Sequence, residues 1–152
     1  MHDQRFDELT ALHGGTTPRR VRDLMRHRVV AGSRDDSLAD IAARMHRERV
    51  GAVVLLDGGR LIGIITEHDL VGAMAEGRDT RATAAAEYMT AQPMTVRPSD
   101  SLAAAAGLMT ALGSRHLPVV EDGRTVGFLS ARDVLRAERR APVVPDRPTF
   151  GR

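Results

Sequence analysis

Gly63-Ile64-Ile65-Thr66-Glu67-His68-Asp69 returns 64 positions later as Gly127-Phe128-Leu129-Ser130-Ala131-Arg132-Asp133. Each copy is a glycine, two apolar residues, a hydroxyl residue, two variable positions and an aspartate. An apolar run that ends on Thr or Ser reads as a buried strand running into a helix N-cap, because the hydroxyl accepts a backbone N–H of the first turn. An acid three residues after the hydroxyl completes the pattern of a capping box.

Outward from these stretches the same offset of 64 holds without a gap. Met25 falls on Met89, Asp36-Ser37-Leu38-Ala39 on Asp100-Ser101-Leu102-Ala103, Met45 on Met109, and Gly59-Arg60 on Gly123-Arg124. Leu55-Leu56 pairs in character with Val119-Val120. Two copies are too few for a solenoid. They predict a pseudo-two-fold pair.

Within one copy, Thr17-Pro18 offers an N-cap and a first-turn proline, predicting a short helix over Arg19 to Met25. Val29-Val30 is a short extended piece. Ser37 and Asp40 resemble a capping box, and Leu38, Ile41, Ala42 and Met45 then share a helical face. Leu102, Ala105, Ala106 and Met109 repeat that face. Ala52 to Leu56 and Leu61 to Ile65 are strands, joined by Asp57-Gly58-Gly59-Arg60 as a hairpin. Thr66 caps a helix through about Ala75. The second copy gives Leu117 to Val120, a turn at Glu121-Asp122-Gly123, Thr125 to Leu129, and a helix from Ser130. The expected class is α/β (α+β), each unit running helix, short strand, helix, β-hairpin, helix. The boundaries expected are an extension at 1–17, repeats at 18–76 and 84–140, a linker at 77–83 with Thr83 capping the first helix of the second repeat, and a Pro-rich disordered tail at 141–152.

Composition narrows the function classes. The chain has 152 residues and no cysteine, which excludes disulfides and thiol chemistry. All 22 basic residues are arginine, which excludes lysine Schiff-base and P-loop chemistry. The formal net charge of +2 and the scarcity of aromatics argue against nucleic-acid binding. No apolar run approaches a membrane span, and the first residues do not read as a signal peptide, so a cytoplasmic location is expected.

The two closing signatures, the methionine that starts each repeat and the Asp-Ser-Leu helix start resemble a tandem pair of cystathionine-β-synthase (CBS) domains. The likeness covers about residues 18–138. It implies two clefts between the repeats that take adenine nucleotides, each built from the early strands of one repeat and the closing signature of the other. Carried onto this chain, the first cleft uses Ala31, Val50, Gly51 and Ala52 with Ser130, Arg132 and Asp133. The second uses Thr95, Ser114, Arg115 and His116 with Thr66, His68 and Asp69. A carboxylate can accept hydrogen bonds from both ribose hydroxyls, a hydroxyl at a helix N-terminus suits a phosphate, and arginine adds charge-assisted bonds. Small residues make the first cleft, closed by Asp133, the preferred seat, with Arg115 and His116 crowding the second. The likeness further implies a homodimer and a regulatory, signal-transducing role that requires no cofactor. AMP, ADP or ATP is the expected ligand, ahead of S-adenosylmethionine or NAD, and an unknown protein partner receives the signal.

Plainer readings of the same residues stand beside these. Asp69 and Asp133 can serve only as caps. His68 lacks a second histidine at ligand spacing, so no metal is expected. Ser130, His116 and Asp133 lack a nucleophile elbow, so no catalytic residue and no enzyme is expected. Met25, Met45, Met89 and Met109 read as core. Arg136, Arg139 and Arg140 read as a solvated face. The alternative function is a ligand-free scaffold for protein–protein contact.

Overall fold

A computed structural model describes residues 19–139. The expectations for 1–17 and 141–152 lie outside the described residues. In chain order the elements are a single 3-10 turn Val21–Asp23, β1 (Ala31–Gly32), α1 (Leu38–Glu48), β2 (Ala52–Asp57), β3 (Arg60–Thr66), α2 (Glu67–Ala75), a second 3-10 turn Ala85–Glu87, β4 (Thr90–Ala91), α3 (Leu102–Leu112), β5 (His116–Glu121), β6 (Arg124–Ser130) and α4 (Ala131–Arg139). The mixed α/β class and the paired architecture are those expected. No described helix is long and apolar enough to cross a membrane.

The hairpins follow from their turn residues. Gly58 and Gly59 have φ of 54° and 81°, and Asp122 and Gly123 have 50° and 75°. Two consecutive left-handed residues make the tight turn whose twist matches antiparallel strands. Val54 pairs with Ile64, and Pro118 with Phe128, at the same register 64 positions apart.

The first helix of each repeat is the main departure from the expected elements. The stretch Arg19 to Met25 makes one 3-10 turn because its backbone donors are used elsewhere. Val21 N–H donates to the Asp100 carbonyl, and Arg22 N–H to that of Pro98. Arg26 and Phe128 exchange both backbone hydrogen bonds. The lead segment of repeat one therefore lies on the hairpin of repeat two. The reverse also holds, with Thr90 pairing with Ile64 and Ala91 with Gly63 on β3.

The crossing shows in the cores. Ala85, from the second repeat, is fully buried with Leu38, Ile41, Val53, Leu55 and Ile65 of the first. Val21, from the first, is fully buried with Leu102, Leu117, Val119 and Leu129 of the second. Each methionine of a lead segment rests on a signature glycine of the other repeat. A Cβ on Gly63 would lie 2.5 Å from the Met89 sulfur, and one on Gly127 would lie 2.8 Å from that of Met25 and 3.0 Å from the Arg26 carbonyl oxygen. Only glycine admits so close an approach.

Smaller departures have local causes. The first short strand forms at Ala31–Gly32, beyond Val29-Val30, and pairs in parallel with Val54 and Leu55. Thr83 does not cap. It is buried, its hydroxyl donates to the Asp79 carbonyl at 2.7 Å, and its own carbonyl accepts from Leu38 N–H at the start of α1. Ser37 caps α1 by accepting from Asp40 N–H at 3.1 Å, and Asp40 takes the Ser37 hydroxyl at 2.8 Å.

Candidate functional site

The two hairpins abut along β3 and β6, and a cleft opens on either side of that seam. The first cleft encloses about 1280 Å³ and the second about 770 Å³. Both exceed or match what a nucleotide-sized ligand needs. Gly51, Glu67, Arg115 and His116 line both clefts and form the wall between them.

That wall is tightly made. A Cβ on Gly51 would lie 3.3 Å from Glu67 Oε2 and 3.3 Å from His116 Nε2. The His116 ring lies 5.7 Å, centroid to centroid, from Phe128. Burial lowers the His116 pKa below its usual 6.5; Glu67 pulls the other way without prevailing, and Arg115 and Arg132 reinforce the fall. The imidazole is therefore neutral near pH 7.

The second cleft gathers Thr66, His68 and Asp69 with Ser114, Arg115 and His116. A strand that stops at Thr66 and a helix that starts at Glu67 set the first group. Asp69 Oδ2 accepts from the Thr66 N–H at 2.7 Å and from the Thr66 hydroxyl at 2.9 Å. All its recorded bonds fall on Oδ2, so among the described residues Oδ1 has no partner and Asp69 has no ion pair. Glu67 N–H donates to the Gly51 carbonyl and Asp69 N–H to the Thr66 hydroxyl. The His68 N–H between them is left for another acceptor, as the first turn of a helix requires. Ser114 lies just before β5, its hydroxyl donating to the His116 carbonyl at 2.9 Å. Thr95 does not line this cleft. It is exposed, and Gln92, Pro93 and Met94 take the place, with Gln92 in the left-handed region at φ 47°.

The first cleft gathers Val50 and Gly51 with Ser130 and Arg132. Ala52 does not line it: strand alternation turns the next side chain after Gly51 into the core, where it is 3% exposed. Ala31 is held away on β1, its carbonyl accepting from Arg44 at 2.6 Å. Asp133 is the larger difference. Arg26 grips it with two hydrogen bonds, Nε to Oδ2 at 3.2 Å and an Nη to Oδ1 at 3.0 Å. The Ser130 hydroxyl donates to Oδ2 at 2.6 Å. Burial works to raise the Asp133 pKa, but the bonds from Arg26 and Ser130 and the arginine charge outweigh it and hold it below 3.8. Both carboxylate oxygens are engaged, so the acid offers no open edge.

Arg115 and His116 do not crowd the second cleft alone, because they belong to the wall of both. The residues that sequence reasoning missed are mostly arginines. Arg26, Arg47, Arg49 and Arg136 join Arg115 and Arg132 around the first cleft. Arg136 had read as solvated surface, and nothing in the sequence places Arg26 on the far hairpin. The register offset supplies one overlooked signal: the counterpart of Arg26 is Thr90, so an arginine faces one signature and a hydroxyl the other.

The CBS domain family matches residues 21–76 and 85–140. An uncharacterized protein of Methanopyrus kandleri is 32% identical over 121 residues, covering 78% of this chain and 62% of that protein. CBSX3, a mitochondrial CBS domain-containing protein of Arabidopsis thaliana, is 37% identical over 109 residues, covering 68% of this chain and 53% of that protein. The chain thus spans somewhat less than two thirds of the length of the first of these relatives and about half that of the second. Among solved structures, a CBS domain protein of Pyrobaculum aerophilum complexed with AMP superposes with a TM-score of 0.71 at 28% identity, covering 76% of this chain and 89% of that one.

Proposed function

The chain belongs to the CBS-domain family, and we propose that it is a regulatory module that binds an adenine nucleotide (AMP, ADP or ATP) and answers with a change of shape or of dimer arrangement. The observation that carries this reading is the Asp69 carboxylate. Thr66 engages one oxygen and leaves Oδ1 without a partner among the described residues, on a side chain that lines the second cleft, as acceptance of a ribose hydroxyl requires. The His68 N–H and the Arg115 guanidinium supply donors for a phosphate. Met94 and Leu112, both about half exposed, supply apolar surface for the base. The AMP complex of the Pyrobaculum relative supports the ligand class. S-adenosylmethionine and NAD share the adenosyl group and rank behind. A ligand acts on shape only through unequal affinity for two states, so the output passes to a partner protein or to the dimer. The module is read as a binding protein of the cytoplasm and not as an enzyme.

One observation favours the alternative scaffold reading and equally a homodimer. Val71 on α2 and Leu135 on α4, equivalent positions in the two repeats, are 61% and 57% exposed, and Met74 is 68% exposed. Outward apolar side chains on helices are surface for another chain.

Thermal unfolding with AMP, ADP, ATP, NAD and S-adenosylmethionine decides between them. AMP at about 100 times its Kd should raise the Tm by on the order of 5–10 °C, and Asp69→Ala should remove most of that rise. No shift with any of the five at millimolar concentration would leave the scaffold reading standing.

A further inference from the structure

Among the described residues, six arginines line the first cleft (Arg26, Arg47, Arg49, Arg115, Arg132 and Arg136) against a single acid, Glu67. Among the same residues the second cleft has one arginine, Arg115, against Glu67 and Asp69. The two cavities share a wall yet carry opposite charge. Arg26 is occupied by Asp133 and Arg47 lies 3.4 Å from Glu48. Arg49, Arg115, Arg132 and Arg136 make no ion pair or side-chain hydrogen bond among the described residues. A concave surface lined by one sign of charge concentrates the field and favours a counter-ion.

Arg49 adds an independent observation. It ends α1 in the left-handed conformation at φ 55°, where its counterpart Gly113 ends α3 at φ 62°. Glycine holds that conformation without strain and arginine does not. A disfavoured backbone at a cleft mouth, carrying a guanidinium into it, is strain kept at a binding surface.

We propose that the first cleft is a polyphosphate site: it takes an anion bearing two or more linked phosphates and holds it by those phosphates. Arg49, Arg132 and Arg136 are its principal donors, with Arg115 reaching from the shared wall. Asp133, closed off by Arg26, contributes no carboxylate edge for a ribose, so recognition of a sugar is not part of this site. The phosphates can come from a nucleoside triphosphate tail or from an inorganic chain. The proposal goes beyond the adenosyl seat assigned to the second cleft, and each fails separately.

Isothermal titration of the full chain with sodium tripolyphosphate, inorganic phosphate, ATP and AMP tests it. Tripolyphosphate should bind at least about 100-fold tighter than inorganic phosphate, and weaken steeply as salt is raised. Equal affinity for ATP and tripolyphosphate in the first cleft identifies the phosphate chain as the whole determinant. An ATP affinity there that exceeds tripolyphosphate by more than about 100-fold would overturn the claim that the sugar is not read. Arg132→Ala should weaken tripolyphosphate about tenfold. Arg49→Gly separates binding from folding: it should raise the Tm by relieving the left-handed strain and still weaken tripolyphosphate about tenfold. Asp69→Ala, in the other cleft, should leave tripolyphosphate unchanged. Tripolyphosphate binding no tighter than phosphate, or unaltered in both arginine variants, overturns the proposal. Tripolyphosphate binding together with failure of AMP to bind supports this site and sinks the adenosyl seat.

Discussion

The two clefts are built from the same parts in the same register, and the facing position that bears most on their signature acids is Arg26 in one and Thr90 in the other. Where Arg26 reaches across to Asp133, its counterpart Thr90 lines the same cleft as Asp69. Arg26 takes both oxygens of Asp133, while Asp69 keeps an oxygen clear. Duplication therefore fixed the place of each carboxylate, but its availability depends on a residue contributed by the other repeat. Having the signature is not sufficient for a ribose site; the residue on the crossing lead segment decides whether the acid can be used.

Exchange of that residue should have the largest effect. Thr90→Arg should close Asp69 and weaken AMP about 100-fold by calorimetry, the scale of losing two charge-assisted bonds. Arg26→Thr should open Asp133 and add a second, weaker AMP equivalent. If Thr90→Arg binds AMP as the parent does, the position does not separate the clefts.

Next in size is the glycine pair. Gly127→Ala should cost roughly 2–3 kcal/mol in urea unfolding, because its new Cβ meets the Arg26 backbone as well as Met25. For Gly63→Ala the three nearest atoms all belong to the Met89 side chain, whose sulfur and Cγ can swing aside, and the change should cost about 1 kcal/mol. Equal losses would mean that the two lead segments are seated alike.

The smallest effect is the pH dependence of the Arg26–Asp133 pair. The folded Asp133 pKa is below its usual value of 3.8, so its contribution is complete above about pH 4–5 and fades as pH falls through the folded value. The Arg26 side chain is 45% exposed, so the contribution should not exceed about 1 kcal/mol. Unfolding of Arg26→Thr and the parent should differ at pH 6, and the gap should narrow as the pH falls through the lowered folded pKa of Asp133. A gap that does not change with pH would assign the effect to packing of the arginine stem.

Much of this was legible in the sequence. The offset of 64 placed both hairpins and the capped helices, which depend on local patterns: alternation, turn residues and caps. The gathering of Thr66, His68 and Asp69 with Ser114, Arg115 and His116 was not read from such patterns but implied by the family resemblance. The crossing of the lead segments was not legible. Arg26 and Asp133 are 107 residues apart, and no local propensity encodes such a pairing. Two differences follow from that gap. A helix was expected at Arg19 to Met25 where backbone donors leave for the other repeat, and Asp133 was expected to serve a ribose where Arg26 takes both of its oxygens. Ala52 was misplaced for a different reason: an apolar run buried on both faces gives no alternation from which to tell cleft side from core side.

The crossing of the lead segments bears on descent as well as on stability. Separate the repeats within residues 77–83 and each half keeps its hairpin but leaves an open notch at Gly63 or Gly127 and a buried place vacated by Ala85 or Val21. Two copies of either half can fill those places for each other by trading lead segments. A polypeptide with one repeat would thus be half of a two-fold dimer, and the present chain carries both halves in one polypeptide. With both halves in one chain each can differ from its twin, and the contrast of Arg26 with Thr90 is one that a dimer of identical subunits could not carry on one side alone.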